Sequence, residues 1–511
     1  MNKPDFRIKL SRWSAATLFS LIFFLPGFTQ ELHYLDLEKS IALAMERSHN
    51  MRRLKEALEQ SKHELRAATS RFRTHIDLDL AIPNYTESIS QWEDSTGINF
   101  FPVKQLRVSS YLTIDQPLPS DGNIYVRSGF YNVDDLGNEE RLTHLNSMIG
   151  FRQPLTALYS YNHIRSEFKR AELNYELALK RLRREELNLI YLTSQAFYQT
   201  VNNKERMNIS LQTLERQREA TEIARDKYNA GLIREVESLQ MDVDLAQSMN
   251  DYDISTVTYL SQLNYFKHQL GLELADSVTL QSDMSYNRVK VDEDFAVNHG
   301  LENRMELREH EIGIELSEID IKRTRSAGQI NGQVTGYYEF IGTQKNHMPI
   351  PIGESFGTSW DMLRDRPGNF GVALTVNIPI IDWGENKSLV RAAQSNLKMN
   401  QISLDEERIS IEMEIRNTVK QLQSSLRRLE LLERNLEVAE KSFDISKQRF
   451  SNGDIDSQSM ALERERLNTA YIAHLDSYIQ YKLLLADLMR KSFFDFESNQ
   501  PVIAGGSQPQ P

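Results

Sequence analysis

Two long stretches of the chain combine charged and apolar residues in a helical pattern without a helix-breaking residue. Neither proline nor glycine occurs in residues 163–227 or 386–450. A helix of either length extends over roughly 100 Å at 1.5 Å per residue, so each needs an extended packing partner. The second stretch carries an apolar seam at heptad spacing, formed by Ile415, Val419, Leu422, Leu426, Leu429, Leu436, Phe443 and Phe450. Such a seam predicts left-handed coiled-coil packing.

Each long stretch ends at a glycine, after which a helical pattern resumes. The two tetrads are Tyr228–Gly231 and Phe450–Gly453, which lie 222 residues apart. Because glycine adopts the left-handed conformation that closes a helix, each tetrad predicts the tip of a helical hairpin. The hairpins are predicted over 163–271, with the tip at 229–233, and over 386–490, with the tip at 451–455.

Apolar and polar residues alternate ahead of both long stretches. Residues 76–82 alternate isoleucine or leucine with aspartate or alanine, and 329–340 and 371–380 alternate in a similar way. The pattern is typical of a transmembrane β-barrel strand and equally of any half-buried antiparallel sheet. Strands are therefore predicted within about 75–155 and about 329–381.

The first strand region is longer than the second. Residues 106–114 and 124–130 also alternate, around the turn Pro119–Gly122. We interpret this segment as a hairpin or an extracellular extension between two spanning strands.

The repeated order of elements indicates a tandem duplication. Residues 150–155 match residues 375–380, each with a proline in fifth position, ahead of the two long stretches. The halves are predicted at 30–272 and 291–495, separated by a polar linker at 273–290. Residues 496–511 are predicted to be a disordered tail.

The N-terminus has the features of a secretory signal peptide, predicted over residues 1–29. Four basic residues within the first twelve positions precede an apolar run over 15–24. That run is too short for an ordinary transmembrane helix, and no second run is long enough. An uncleaved anchor is the alternative. If the exported chain enters a membrane, we expect it to do so as β-strands.

Composition excludes several classes of function. The chain has no cysteine and a formal net charge of −12. Disulfides, cysteine-ligated metals and cysteine nucleophiles are thus excluded, and the acidic balance argues against a nucleic-acid partner. His63 and Glu64 begin a metalloprotease-like motif, but Ala67 replaces its second histidine. We expect no catalytic site, no metal site and no cofactor.

The duplicated order of helix, strands, long helix, glycine tip and helix resembles the TolC-like outer-membrane efflux family over nearly the whole mature chain. Gln153–Leu155 and Ile378–Gly384 resemble the family's strand-to-helix junction, and Tyr228–Leu232 resembles its hairpin tip. The expected fold class is mixed α and β. It combines long coiled-coil hairpins, forming a periplasmic α-barrel tunnel, with a transmembrane β-barrel.

The resemblance implies a homotrimer in which each protomer gives four strands to a shared twelve-stranded barrel and four helical strands to the tunnel. It also implies a passive exit duct in the cell outer membrane, in contact with outer-membrane lipid. The implied partners are a periplasmic adaptor protein and an inner-membrane transporter of a tripartite efflux or type I secretion system. Independently, four strands cannot close a barrel, and open edges in lipid leave N–H and C=O groups unsatisfied.

We expect the functional residues at the two tips. The adaptor-docking candidates are Tyr228, Asn229, Gly231, Leu232, Phe450, Asn452, Gly453 and Ile455. In a trimer, each side chain near a tip recurs three times, and rings of carboxylates attract cations and constrict a pore. The gate or lumen candidates are Arg234, Glu235, Glu237, Asp242, Asp454, Asp456 and Glu463.

The second tip departs from the family pattern. Family members often carry aspartates one or two turns after this glycine, where the chain has Ser459 and Leu462. Arg234 and Glu237, three residues apart on one helical face of the first hairpin, form an alternative ionic latch. An ordinary surface pair explains them equally well.

Two other functions compete with the duct. A periplasmic adaptor or scaffold also has long helical hairpins, but usually one per chain, flanked by soluble β-domains. A secreted enzyme on a helical scaffold lacks support, because the sequence shows no catalytic constellation. Two hairpins in tandem and strands with lipid-like faces favour the duct.

Overall fold

A computed structural model of the protein describes residues 32–95, 97–281 and 283–502. The predicted signal peptide lies outside these residues, as do residues 503–511 of the predicted tail. Among the described residues, no helix is both long enough and apolar enough to cross a membrane.

The described part of the chain is dominated by long helices and one large sheet. The helices are α1 (Leu37–Arg47), α2 (His49–Ser70), α3 (Thr156–Tyr159), α4 (His163–Asn229), α5 (Glu235–Leu270), α6 (Glu293–Asn303), α7 (Met305–Ala327), α8 (Ile352–Asp365), α9 (Glu385–Asn452) and α10 (Ser457–Ser492). The strands are β1 (Leu32–Leu35), β2 (His75–Asp94), β3 (Gly97–Pro117), β4 (Asn123–Asp135), β5 (Glu140–Pro154), β6 (Ser277–Leu280), β7 (Asn331–His347), β8 (Asn369–Asn377), β9 (Phe494–Asp495) and β10 (Gln500–Pro501). The mixed α and β fold class with long helices is confirmed.

The chain divides into two compact units. Unit 1 comprises Met1–His49, Leu189–Arg288 and Ser425–Leu483, and unit 2 comprises Asn50–Asn188, Val289–Ser424 and Leu484–Pro511. The long helices α4, α9 and α10 contribute residues to both units. The predicted heptad seam of α9 is buried in each unit: Leu429, Phe443 and Phe450 in unit 1, and Ile415, Val419 and Leu422 in unit 2.

In unit 1, the two hairpin tips share one hydrogen-bond pattern. At the first, Leu232 N–H donates to the Lys227 carbonyl (2.8 Å) and Gly231 N–H to the Tyr228 carbonyl (2.9 Å). At the second, Asp454 and Gly453 donate to the equivalent carbonyls of Arg449 and Phe450, at 2.8 and 3.1 Å. This is the Schellman motif, and it requires the left-handed φ of +70° at Gly231 and +87° at Gly453.

The segment between the two halves is anchored to unit 1. Its residues Ser277–Leu280 form β6, which pairs in parallel with β1. The hydroxyl of Tyr478 donates to the Asp283 carbonyl (2.8 Å), and that of Tyr481 donates to the Asn287 carbonyl (2.7 Å). The predicted polar linker therefore contributes a strand to this unit, and two of its backbone carbonyls accept hydrogen bonds from tyrosine hydroxyls.

The helices of unit 2 meet around a buried arginine. The Arg304 side chain is 8% exposed and lies 2.7 Å from Glu306 and 3.0 Å from Glu414. Two carboxylates therefore compensate the cost of burying the guanidinium group. Nearby, a Cβ on Gly300 would lie 2.4 Å from Ile415 Cδ1, so this glycine permits close contact between α6 and α9.

Unit 2 also contains an antiparallel six-stranded sheet in the order β2-β3-β4-β5-β7-β8. The predicted additional segment of the first half, 106–114 and 124–130, lies within this sheet as parts of β3 and β4. The segment interpreted as an extension pairs in continuous register, β3 with β4 from Gln105↔Asp135 to Pro117↔Asn123. Main-chain hydrogen bonds along this whole length make β2 and β3 members of the sheet.

The predicted disordered tail also needs correction, since its first residues are ordered in unit 2. Gln500–Pro501 forms β10, which pairs with β9, and Val502 N–H donates to the Phe493 carbonyl at 3.0 Å. The Phe496 ring contacts the Phe494 ring with centroids 5.0 Å apart. Aromatic packing and a closed turn offset the entropy cost of ordering this segment.

We predict that Gly453→Ala destabilises the protein by about 1–2 kcal/mol, because φ is +87° there and an L-residue pays the left-handed penalty. The matched control is Gly313→Ala in α7, where nothing lies within 4 Å of the added Cβ. Alanine is favoured over glycine inside a helix, so this control should stabilise by roughly 0.5–1 kcal/mol. Denaturant unfolding in detergent measures both, and equal effects would contradict the role of Gly453.

Candidate functional site

The two tips share a backbone but expose different side chains. At the first tip, Tyr228 and Leu232 are exposed, Leu232 by 73%. At the second tip, Asn452 and Asp454 are exposed, whereas Phe450, at the position equivalent to Tyr228, is only 3% exposed. The first tip therefore presents an apolar surface and the second a polar one.

An apolar cluster, the tip core, joins the two hairpins beneath the tips. Its buried members are Ala224, Met241, Phe443, Phe450, Met460 and Leu467. Half-buried Ile455 packs against it. In a single chain Phe450 is therefore buried and Ile455, which was expected to be exposed, is half-buried, while the docking role of both residues stays a prediction. Each side chain packs within this apolar cluster, and removing its surface from water is favourable.

Sequence reasoning missed a lysine that bridges the hairpins. Lys227 Nζ donates to the backbone carbonyl of Phe450 and lies 4.4 Å from the centroid of the Phe450 ring. A cation–π contact stabilises by about 0.5–1 kcal/mol at exposed sites. The duplication could have drawn attention to this lysine, because Lys227 and Arg449 occupy equivalent positions, each four residues before a tip glycine.

Ion pairs add further links between the hairpins. Lys447 lies 2.8 Å from Glu219, and Arg464 lies 3.4 Å from Asp244 in a largely buried setting. Together with the tip core, they hold α4 and α5 against α9 and α10 near the tips. The exposed side chains of the tips thus stand on a base of packed and ion-paired side chains.

Some gate candidates are engaged in pairs within the chain. Arg234 Nε lies 3.5 Å from Glu237 Oε1, and the Arg234 side chain is 87% exposed. Asp242 pairs with Arg225 at 2.6 Å. Glu463 is also occupied: it lies 2.5 Å from an Arg466 guanidinium nitrogen and accepts a hydrogen bond from Ser442.

The remaining acids differ in what they do. Asp456 precedes α10 and accepts a hydrogen bond from the Ser459 backbone N–H at 2.9 Å. Hydrogen bonds from the side chain and the backbone of Ser459 hold the pKa of the Asp456 carboxyl below its usual value. Asp456 is therefore a helix cap. Glu235, in the first turn of α5, and Asp454 are exposed acids. A single chain does not bring the seven gate candidates into one site.

A second surface lies on the sheet of unit 2, where apolar side chains are exposed on one face. The members in β2 are Ile76, Leu78, Leu80 and Ile82, and those in β8 are Phe370, Val372, Leu374 and Val376. Large contiguous apolar patches mark interaction or membrane surfaces. In a membrane β-barrel, apolar residues at alternate positions of each strand form a band on the outer face, which contacts lipid.

The family follows from comparison with known proteins. The model of the outer membrane efflux protein family matches residues 131–259 and 297–490, which is more than half of the chain. The chain therefore belongs to this family, whose members are outer-membrane efflux channels and not enzymes. The two matched segments agree with the internal duplication. None of the curated proteins matches the chain.

Solved structures support the fold. The chain is similar to the CmeC outer membrane channel of Campylobacter jejuni, with TM-score 0.65 and 13% identity over 98% of this chain and 95% of that one. It is similar to the outer membrane protein VceC of Vibrio cholerae, with TM-score 0.63 and 11% identity over 89% and 95%. The open-state MtrE channel of Neisseria gonorrhoeae matches with TM-score 0.60 and 15% identity over 89% and 88%.

We predict that Leu374→Arg lowers the yield of assembled channel in the outer membrane. The exposed Leu374 lies on the apolar face of β8, and an arginine there costs about 2–4 kcal/mol near the bilayer midplane. Thr375→Arg is the matched control on the opposite face, and it should assemble better. Quantitative blotting of outer-membrane fractions measures both, and equal yields would refute the assignment of faces.

Proposed function

We propose that this channel is the exit duct of a tripartite efflux or type I secretion system. It is a passive homotrimer that lies in the cell outer membrane, extends into the periplasm, and couples to an adaptor protein and an inner-membrane transporter. The main support is the doubled helical hairpin whose tips stand on a packed base. A pore alone needs no such structure, whereas a duct that receives cargo from a pump needs a docking end.

The trimer is supported by the open sheet. The six-stranded sheet ends in two edges, β2 and β8, and every residue of β8 except Gly371 is exposed. In lipid every backbone N–H and C=O group needs a partner, so the edges must be covered. Identical copies arranged around an axis cover them by pairing, and the family resemblance supports three copies.

Docking of the adaptor is assigned to the exposed tip residues, which are Tyr228, Asn229, Gly231, Leu232, Asn452 and Gly453. The apolar side chain of Leu232 stands beside polar groups on the turn. A small apolar anchor within a polar rim is typical of a transient protein interface.

The alternative is an adaptor or scaffold protein with coiled-coil hairpins. The exposed apolar face of the sheet disfavours it, because a soluble β-domain buries such a face. Membrane fractionation distinguishes the two. Heat-modifiable trimers in the outer-membrane fraction support the duct, and a soluble periplasmic monomer would refute it.

Gating is assigned to the first hairpin. Arg234 and Glu237 already form an intrachain pair of 3.5 Å, and around a three-fold axis Arg234 can instead reach a neighbouring copy. One exposed pair contributes only about 0–1 kcal/mol, but three symmetric copies bias a two-state tip.

We predict that Leu232→Ser abolishes transport while the trimer still reaches the membrane, because the substitution removes the exposed apolar anchor. The control is Leu239→Ser on α5, a leucine of similar exposure two turns beyond the tip, and it should keep transport. Efflux of a dye in intact cells and native mass spectrometry give the two readouts. Normal transport by Leu232→Ser would remove this tip from the coupling site.

We predict that Arg234→Glu and Glu237→Arg each raise single-channel conductance, because like charges replace the attractive pair. The double reversal Arg234→Glu with Glu237→Arg should restore the closed state, since it restores the attraction. Planar-bilayer recording measures all three variants. Unchanged conductance in both single variants would place the constriction elsewhere.

A further inference from the structure

The hairpin of β2 and β3 precedes the residues that match the family model, which begin at residue 131 within β4. A hairpin of this kind has two possible positions. It either folds over the end of the sheet in water, or it continues the sheet through the membrane. The registers of the six strands distinguish the two.

One row of side chains that crosses the whole sheet consists of five apolar side chains and one tyrosine. Following the pairing partners from strand to strand gives Ile76, Ile114, Val126, Ile149, Tyr338 and Phe370. The row is most exposed at its two ends, 65% at Ile76 and 80% at Phe370. β2 and β3 thus continue the same apolar face as the other four strands.

The neighbouring row on the opposite face has the reverse character. It runs through Asp77, Thr113, Arg127, Met148, Glu339 and Asn369, and five of these six side chains are polar or charged. A hairpin that lies in water does not need the same apolar face and the same polar face as the other four strands. The match is expected if both strands separate lipid from a wet lumen.

We propose that β2 and β3 span the membrane, so that each chain gives six strands to the barrel and the trimer closes with eighteen. The proposal rests on the homotrimer of the proposed function. The barrel partner at each edge is a second copy of this chain, with β2 of one copy pairing with β8 of the next.

The chemistry of the two edges fits this pairing. Neighbouring strands are antiparallel throughout, so with six strands the first and last also run in opposite directions. β8 spans nine residues, and in β2 the register stays regular from His75 up to the irregularity between Ala81 and Asn84. Ile76, Leu78 and Leu80 would then continue the apolar band of β8.

The consequence is a wider exit. Barrel diameter grows roughly linearly with strand number, so eighteen strands make a barrel about half again as wide as twelve. Barrels of 16–18 strands leave an aqueous channel. The turn end of the β2–β3 hairpin extends beyond the last residue of β4. There an ion pair joins the two strands, with Lys104 Nζ 2.9 Å from Glu87 Oε1. The inference therefore points to a duct whose outer opening admits bulky cargo.

The absence of cysteine from the chain allows a clean accessibility test. Leu78→Cys and Asp79→Cys are made singly, and cells are treated with a small membrane-impermeant maleimide. We expect labelling of Asp79→Cys through the lumen and at least tenfold less labelling of Leu78→Cys. Leu374→Cys and Thr375→Cys in β8 are the matched pair. Equal labelling at 78 and 79, with the β8 pair still unequal, would overturn the spanning hairpin.

Disulfide cross-linking tests the strand partner. Asp79→Cys is combined in turn with Gly371→Cys, Ala373→Cys and Thr375→Cys, which share its face, and the control series replaces Asp79→Cys with Arg127→Cys in β4. Strands are about 4.8 Å apart, so within one chain either pair is too distant for a disulfide. We expect covalent trimers from β2–β8 pairs. Trimers in the β4 series alone would refute eighteen strands and leave the proposed function standing, whereas loss of the trimer in native mass spectrometry of the cysteine-free parent would refute the proposed function itself.

Discussion

An unpaired strand edge is the constraint on which the rest of this molecule depends. The sheet of unit 2 ends at β2 on one side and β8 on the other, and each edge leaves a row of backbone N–H and C=O groups. Water tolerates such edges, whereas hydrocarbon does not. The apolar face of the sheet favours lipid as its surroundings. In lipid, however, a lone copy would leave the backbone groups of both edges without partners, so the edges need to pair with other copies.

The long helices also depend on a partner for their stability. A helix as long as α4 or α9 has little stability from propensity alone and needs a partner along its length. The heptad seam of α9 supplies one side of that packing. Near the tips, the tip core and the bridge from Lys227 to Phe450 add contacts between the hairpins next to the turns at Gly231 and Gly453.

Features that depend on a few neighbouring residues could be read from the sequence. Gly231 and Gly453 end helices for a local steric reason, and the seam of α9 follows from heptad spacing alone. Asp456 could also have been recognised as a cap, because the aspartate lies three residues before Ser459 at the start of a helical pattern.

Features that depend on which elements meet could not be read in this way. Phe450 resembles Tyr228 in sequence, but it is buried in a cluster that brings together residues of both hairpins, among them Met241 and Met460. Alternation around the turn Pro119–Gly122 indicated a hairpin of β3 and β4, but it could not reveal that β2 pairs with the other side of β3, because a period of two carries no information about the partner. Lys227 is one of many lysines until the ring of Phe450 lies beside it.

The unequal tips have different consequences for substitution. The duplication gives two copies of one motif, and the aromatic rings of the two copies have different surroundings. The ring of Phe450 is buried, while the ring of Tyr228 is exposed. A substitution at position 228 therefore leaves the packed interior unchanged, whereas a substitution at position 450 must still fit among the side chains of the tip core.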